Sequence, residues 1–191
     1  MTTAATVAAT VAGVPVGVEE VDAREAALRA SPQTAALPRP GTSEGRQLRR
    51  WLTQLLVTEK VIAREAGARG VSATAATPTE SDLLPDLTAR LDIGSIAATV
   101  LSDPRARALY TAVTDNVTVA ADVVADYRRR NPNRFAGEAD PESAVATMLV
   151  GAARRRAFRL WLEQRRAELV WLAPGYEHPG DPRQPDNTHK H

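Results

Sequence analysis

The chain has 191 residues, enough for one domain, or one domain with an appendage, that folds around its own core. It has no cysteine, which excludes disulfides, thiolate catalysis and cysteine-ligated metals. Its formal charge of +1 predicts no general attraction to nucleic acids or membranes. The first residues, MTTAATVAATVAGVPVG, lack the basic start of a secretion signal, and no window reaches the ~18 apolar residues of a membrane-spanning helix, so we expect a cytoplasmic protein.

The first structural elements are predicted to be a short strand or hairpin followed by a helix. Residues 6–18 are rich in Val, Thr and Ala, and Ala12-Gly13 is a candidate turn. A helix is expected over residues 21–30. Three prolines between residues 31 and 41 then predict a loop.

The strongest helix prediction covers residues 43–68. Thr42 or Ser43 can cap its start, and Gly67 and Gly70 are candidate stops. Its polar residues fall mostly on the opposite side from the apolar ones; they are Arg46, Arg49, Arg50, Thr53, Lys60 and Arg64. The apolar residues recur at spacings of three and four and share one face, which should form the floor of a core: Leu48, Trp51, Leu52, Leu55, Leu56, Ile62 and Ala66.

Shorter helices are predicted downstream of a linker over residues 71–79. One helix should run from Thr79 to about Leu91, a second should start near Ser95, and a third should open at Asp103-Pro104. A fourth should follow a Thr118 cap and stop at Asn131-Pro132. Its apolar face is expected to contain Val119, Val123, Val124 and Tyr127.

The longest helical segment, residues 141–172, has two apolar faces. Val145 and Met148 share one face, whereas Phe158 and Trp161 lie nearly opposite at ~100° per residue. Because the faces exchange near Gly151, we predict a kink there or contact with two packing units. The end of the segment, residues 169–176, is expected to become extended.

Several segments resemble the SurA, PrsA and trigger-factor type of foldase chaperone. They are ATVAGVPV, LRRWLTQLLVTEKVIAREAGARGV, VTVAADVVADYRRRNPNRF and SAVATMLVGAARRRAFRLWLEQRRAELVW, in the same order as in those proteins. The resemblance implies a helical peptide-binding module whose closing helix ends in a strand that returns to pair with the first strand. No parvulin domain fits between Phe135 and Glu142, so prolyl isomerase activity should be absent.

The fold expected from these patterns is mainly α. A multi-helix domain similar to the N-terminal domain of SurA should cover residues 1–173. It should carry a small two-stranded sheet that pairs residues 6–16 with a strand near residues 169–176. Residues 174–191 should form an extended tail rich in proline and histidine.

Two motifs raise the question of catalysis or metal binding. Gly41-Thr42-Ser43-Glu44-Gly45 fits G-x-S-x-G, which would make Ser43 a nucleophile, but a proline-rich loop stands where that motif needs a strand. We therefore favour Ser43 as a helix cap. His178, His189 and His191 lie near carboxylates and could bind zinc or nickel weakly; we favour a solvated tail.

Two groups of side chains are candidate binding surfaces. An excess of arginine between residues 128 and 166, including Arg154, Arg155 and Arg156, would meet an acidic partner such as a carrier protein, or would form a solvated helix face. Aromatic residues would either line an apolar groove or form the core. The predicted binding residues are Trp51, Leu55, Tyr127, Phe135, Phe158, Trp161, Arg154, Arg155 and Arg156.

Two functional hypotheses follow. The first is a non-catalytic chaperone-like module that binds unfolded or apolar peptide segments. The second is a small enzyme or accessory protein of a polyketide-like pathway, of the cyclase, isomerase or acyl-transfer type. It would bind a small hydrophobic molecule or an acidic acyl carrier protein. Neither hypothesis calls for a cofactor, a membrane or a nucleic acid.

Overall fold

The computed structural model describes residues 6–181, which are mainly helical with one small antiparallel sheet. None of the helices in this range is long and apolar enough to cross a bilayer. In chain order the elements are β1 (Val7–Val11), β2 (Val14–Gly17), α1 (Val18–Arg29), a 3-10 turn (Pro32–Ala36), α2 (Ser43–Arg69), α3 (Glu80–Leu83), α4 (Leu87–Ile93), α5 (Ser95–Val100), α6 (Pro104–Thr114), α7 (Ala121–Arg130), α8 (Pro141–Leu169) and β3 (Val170–Leu172).

The chain divides into two compact units. Unit 1 is discontinuous and takes the residues up to Arg64 together with those from Arg165 onward. Unit 2 is continuous and covers residues 65–164. Both long helices therefore contribute to both units, because α2 passes residue 64 and α8 passes residue 164.

The sheet of unit 1 has three strands in the order β2-β1-β3, one more than predicted. The extra strand comes from the hairpin, where Ala12 and Gly13 take φ angles of 49° and 80° that suit a tight two-residue turn. The predicted pairing between the two ends of the chain is confirmed: Ala9 faces Leu172 and Val11 faces Val170 in antiparallel register.

The boundaries of α2 follow local signals. The hydroxyl of Thr42 accepts a hydrogen bond from the backbone N–H of Gly45 at 3.1 Å, so Thr42 caps the helix that Ser43 begins. The helix ends at Arg69 because Gly70 adopts a φ of 63°, in the left-handed region. Gly67 lies inside the helix, so it is not the stop.

The predicted polar face of α2 is corrected at two of its six residues, Arg50 and Thr53, which are buried together with the neighbouring Gln54. Arg50, Thr53 and Gln54 are 6%, 0% and 0% exposed. Each of the three side chains makes a hydrogen bond that favours its burial: Thr53 donates its hydroxyl hydrogen to the carbonyl of Arg49 at 2.9 Å. Nε of Arg50 and Nε2 of Gln54 donate to the carbonyls of residues 175 and 176 at 3.3 and 2.9 Å. The start of the predicted tail is thus held against α2.

Two predicted helices of unit 2 are shorter than expected. The predicted helix from Thr79 to Leu91 is divided into α3 and α4, because Pro85 cannot continue the hydrogen-bond pattern. Thr79 does cap α3, and Asp86 caps α4. Helix α7 starts after Ala120, later than predicted, so Thr118 is not its cap. Val123, which was predicted for its apolar face, is 49% exposed and faces outward.

The core of unit 2 is built around α8. The helix runs without interruption from Pro141 to Leu169, and its buried apolar residues Val145 and Phe158 lie on nearly opposite sides, as the two-face pattern predicts. Phe158 is fully buried and its ring lies 5.0 Å from that of Tyr110 on α6. The division of α8 between the units falls after Gln164, later than the predicted crossover at Gly151.

Candidate functional site

Two cavities adjoin each other in unit 2. Both lie between α8 and the segment that contains α3. The first, of about 500 Å³, is called the arginine cavity here; the second, of about 720 Å³, is called the acidic cavity. They adjoin because they share four lining residues, Asp82, Thr147, Gly151 and Arg155.

The arginine cavity combines an apolar wall with two cationic side chains. Leu83, Tyr110 and Val150 supply apolar surface, and Arg154 and Arg155 supply the charge. Tyr110 is 2% exposed, and burial raises the pKa of its hydroxyl although the two arginines act to lower it. The phenol therefore stays protonated at neutral pH and can donate a hydrogen bond.

Arg155 is the most deeply buried charge in this cavity. The residue is 9% exposed, and its Nη1 donates to the carbonyl of Leu83 at 3.3 Å. The nearest carboxylate among the described residues, that of Asp92, lies 4.0 Å from Nη2. Within residues 6–181, Nε has no hydrogen-bond partner. A buried guanidinium with so few partners is costly unless another acceptor joins it.

Gly151 makes room for this guanidinium. A Cβ at residue 151 would lie 3.3 Å from Nη1 of Arg155, closer than ordinary van der Waals contact. Arg154, half-buried on the same helix, has no carboxylate within 4.0 Å in the part of the chain that the structure describes. Within unit 2, Arg154 thus has no ion pair, and the ion pair of Arg155 with Asp92 is long, at 4.0 Å.

The acidic cavity has the opposite charge. Four carboxylates, those of Asp82, Asp86, Glu138 and Asp140, line it together with Arg155. Three of the four also cap helices: Asp82, Asp86 and Asp140 accept hydrogen bonds from backbone N–H groups or a neighbouring cap residue. The hydrogen bonds from Thr79 hold the pKa of Asp82 below its usual value. The carboxylate of Asp82 is therefore charged at neutral pH.

Three of the nine predicted binding residues line these cavities, namely Arg154, Arg155 and Phe135. Phe135 also packs edge-on against Tyr127, with ring centroids 6.5 Å apart, and the Arg134 guanidinium lies 5.7 Å from the Phe135 centroid. Arg156 is exposed on α8 and lines neither cavity.

The other predicted aromatic and apolar residues lie elsewhere. Phe158 and Leu55 are 0% and 4% exposed, which places them in the core rather than on a surface that a ligand reaches. Trp161 stacks on Phe158 with centroids 5.6 Å apart, and the Arg69 guanidinium lies 5.3 Å from its ring. Trp51, like Leu55, belongs to the part of α2 in unit 1 and is half-buried.

The predicted catalytic and metal residues do not form a site among the described residues. Ser43 is the first residue of α2 and is half-buried, next to the Thr42 cap. His178 is exposed, and its Nδ1 accepts the backbone N–H of Gly180 at 3.0 Å. Within residues 6–181 there is no group of three or more metal-binding side chains; His189 and His191 lie outside that range.

Sequence reasoning missed Tyr110, Asp82 and Thr147 as cavity residues. Tyr110 and Asp82 come from segments far from α8 along the chain, so no local spacing connects them to Arg155. Gly151 did carry a signal, because a glycine inside a long helix costs stability and usually has a packing reason. Its position one turn before Arg155 fits the contact at 3.3 Å.

Comparison with known proteins adds one partial match. Residues 7–44 are similar to a family of unknown function (DUF7158). This stretch contains the β1–β2 hairpin, α1 and the 3-10 turn, and it ends as α2 begins. No curated protein and no solved structure matches the chain.

Proposed function

We propose that this chain is a non-catalytic, chaperone-like binding module of the SurA, PrsA and trigger-factor type, and that it holds an apolar polypeptide segment in the two adjoining cavities of unit 2. The observation that carries this proposal is the pair of cavities itself. They adjoin at four shared lining residues, and their walls are more apolar than polar. Concave, largely apolar sites with a few polar groups are the usual form of a binding site.

The topology supports the same proposal. The resemblance implies an opening strand, a long helix, a closing helix and a final strand that returns to pair with the first. The chain has β1, α2, α8 and β3 in that order, and β3 pairs with β1. The DUF7158 match is compatible with this proposal and does not point to an activity.

The proposal is tested with an unfolded client. A chemically denatured protein is diluted into buffer, and its aggregation is followed by light scattering with and without an equimolar amount of this chain. We expect a delay in aggregation. No delay with several unrelated clients would count against peptide binding.

A pair of variants locates the effect. Thr147 is exposed and lines both cavities, so Thr147→Trp should fill them and remove the delay. Arg156→Trp adds the same side chain on the same helix but outside both cavities, and should keep the delay. If both variants behave alike, the cavities are not the client site.

A second candidate is an accessory protein that binds a small hydrophobic molecule. The observation in its favour is size, because about 500 Å³ is within the range of roughly 300–1,000 Å³ for small-molecule pockets. A small ligand would enter the arginine cavity alone. Saturable binding of a small apolar acid without any peptide binding would favour this candidate.

A further inference from the structure

The charges of the two cavities differ in sign, and this difference favours one orientation of a segment bound across both. Two guanidinium groups stand in the arginine cavity against one carboxylate, that of Asp82. Four carboxylates stand in the acidic cavity against one guanidinium. A segment lying across both would be most stable with its negative end at the arginines.

Arg155 has the features of an anion receptor. It is nine-tenths buried, its Nε is without a hydrogen-bond partner among residues 6–181, and its closest described carboxylate is 4.0 Å away. A guanidinium prefers a planar acceptor with two oxygens, which is the geometry of a carboxylate. Tyr110 lines the same cavity, and its protonated hydroxyl can donate a further hydrogen bond.

The neighbouring walls are apolar, so the carboxylate should be attached to an apolar body. Leu83 and Val150 line the cavity beside the arginines. A polypeptide has one backbone carboxylate, at its C-terminus, and there the last side chain and the carboxylate lie side by side. An internal segment has no charge on its backbone to match the arginines.

We propose that the arginine cavity binds the C-terminal carboxylate of an apolar polypeptide segment, with the terminal side chain against Leu83 and Val150 and the preceding residues extending into the acidic cavity. This rests on the proposed function, and it adds which part of the client is recognised and in which direction it lies. Arg155 and Arg154 hold the carboxylate, and Gly151 leaves the space that the Arg155 guanidinium occupies.

The test uses one peptide in two chemical forms. A fluorescein-labelled decapeptide ending in Leu-Ala-Leu-Leu is prepared with a free carboxylate and with a C-terminal amide. Binding to the full chain is measured by fluorescence polarisation. Because a hydrogen bond to a charged group typically contributes 1.5–3 kcal/mol, the amide should bind at least about tenfold more weakly.

Matched variants assign the effect to the cavity. Arg155→Met and Arg154→Gln should each weaken binding of the free acid and leave the amide almost unchanged. Arg156→Gln removes a neighbouring charge outside the cavity and should leave the binding of both peptides unchanged. The comparison of acid with amide on the unaltered protein does not depend on whether Arg155→Met folds.

The outcomes separate this inference from the function on which it rests. If both peptides bind equally, recognition of the carboxylate is refuted while peptide binding stands. If neither binds, both proposals fail. If decanoate, a free apolar acid, binds and neither peptide does, the cavity takes small acids and recognition of a polypeptide end is refuted.

Discussion

Gln54 connects three separate segments of unit 1, and its loss should be visible in stability. Its side chain is fully buried on α2. The amide Nε2 donates to the carbonyl of Tyr176 at 2.9 Å, and the amide oxygen accepts a hydrogen bond from Arg166 on α8. Gln54→Leu keeps a similar volume but removes both hydrogen bonds.

The expected loss of stability comes from the two polar groups that lose their hydrogen bonds to Gln54. The Tyr176 carbonyl loses its donor, and the Arg166 guanidinium loses an acceptor. Leaving a buried polar group unsatisfied costs about 1–3 kcal/mol. Tyr176 is only half-buried, so water can compensate in part, and we expect a total of about 2 kcal/mol. For a chain of this size that corresponds to a fall in Tm of roughly 4–8 °C.

Two measurements test this prediction. Thermal unfolding followed by circular dichroism gives Tm. The rate of chymotrypsin cleavage after Tyr176 measures how firmly residue 176 is held against α2. Cleavage should be faster in the variant, because residue 176 should leave α2 more often. A Tm within about 1 °C of the unaltered protein together with unchanged cleavage would refute the reasoning.

Two further predictions concern the end of α2 and acid stability. Gly67→Ala should stabilise the protein by about 0.5–1 kcal/mol, because residue 67 is helical and has open space around an added Cβ. Gly70→Ala should destabilise it by about 1 kcal/mol, because residue 70 has a φ of 63°. Urea unfolding measures both changes in stability, and a change of the same sign in both variants would contradict this account. Burial acts to raise the pKa of Glu25, but hydrogen bonds from Arg29 and Arg49 outweigh it and hold the pKa below 4.5. Since the folded-state pKa is lowered, this contribution to stability is present above about pH 4.5 and is lost as the pH falls through the folded value. Chemical unfolding at a series of pH values should show that Glu25→Gln loses less stability in acid than the unaltered protein does. An equal loss of stability in both proteins would contradict this role of Glu25.

The elements that could be predicted from the sequence are those set by neighbouring residues. Thr42, Gly70, Asp103 and Thr79 act at helix ends through groups only a few residues away, so their positions follow from spacing. The pairing of the two terminal strands was predictable only from the resemblance to foldases, because no local signal joins residues 9 and 172.

The remaining features depend on contacts between distant segments. Arg50 and Gln54 are buried because residues 175 and 176 bring carbonyl groups to them. The spacing of apolar residues along α2 gives no indication of those distant partners. The arginine cavity likewise needs Tyr110 from α6 and Leu83 from the α3 segment next to α8. The excess of arginine made Arg154 and Arg155 candidate binding residues, but no local pattern predicted that they line a cavity.

The antiparallel pairing of β1 with β3 has a consequence for the order in which the protein is made. Residue 11 leaves the ribosome about 160 residues before its partner at residue 170, which at 5–20 residues per second means a delay of roughly 8–30 s. During that time one edge of the β1–β2 hairpin has no strand to pair with, and Gln54 lacks the carbonyl of Tyr176. Unit 2 is continuous in sequence and is complete once residue 164 has emerged. Nascent chains should therefore gain protease resistance first in residues 65–164 and only later in the segments on either side.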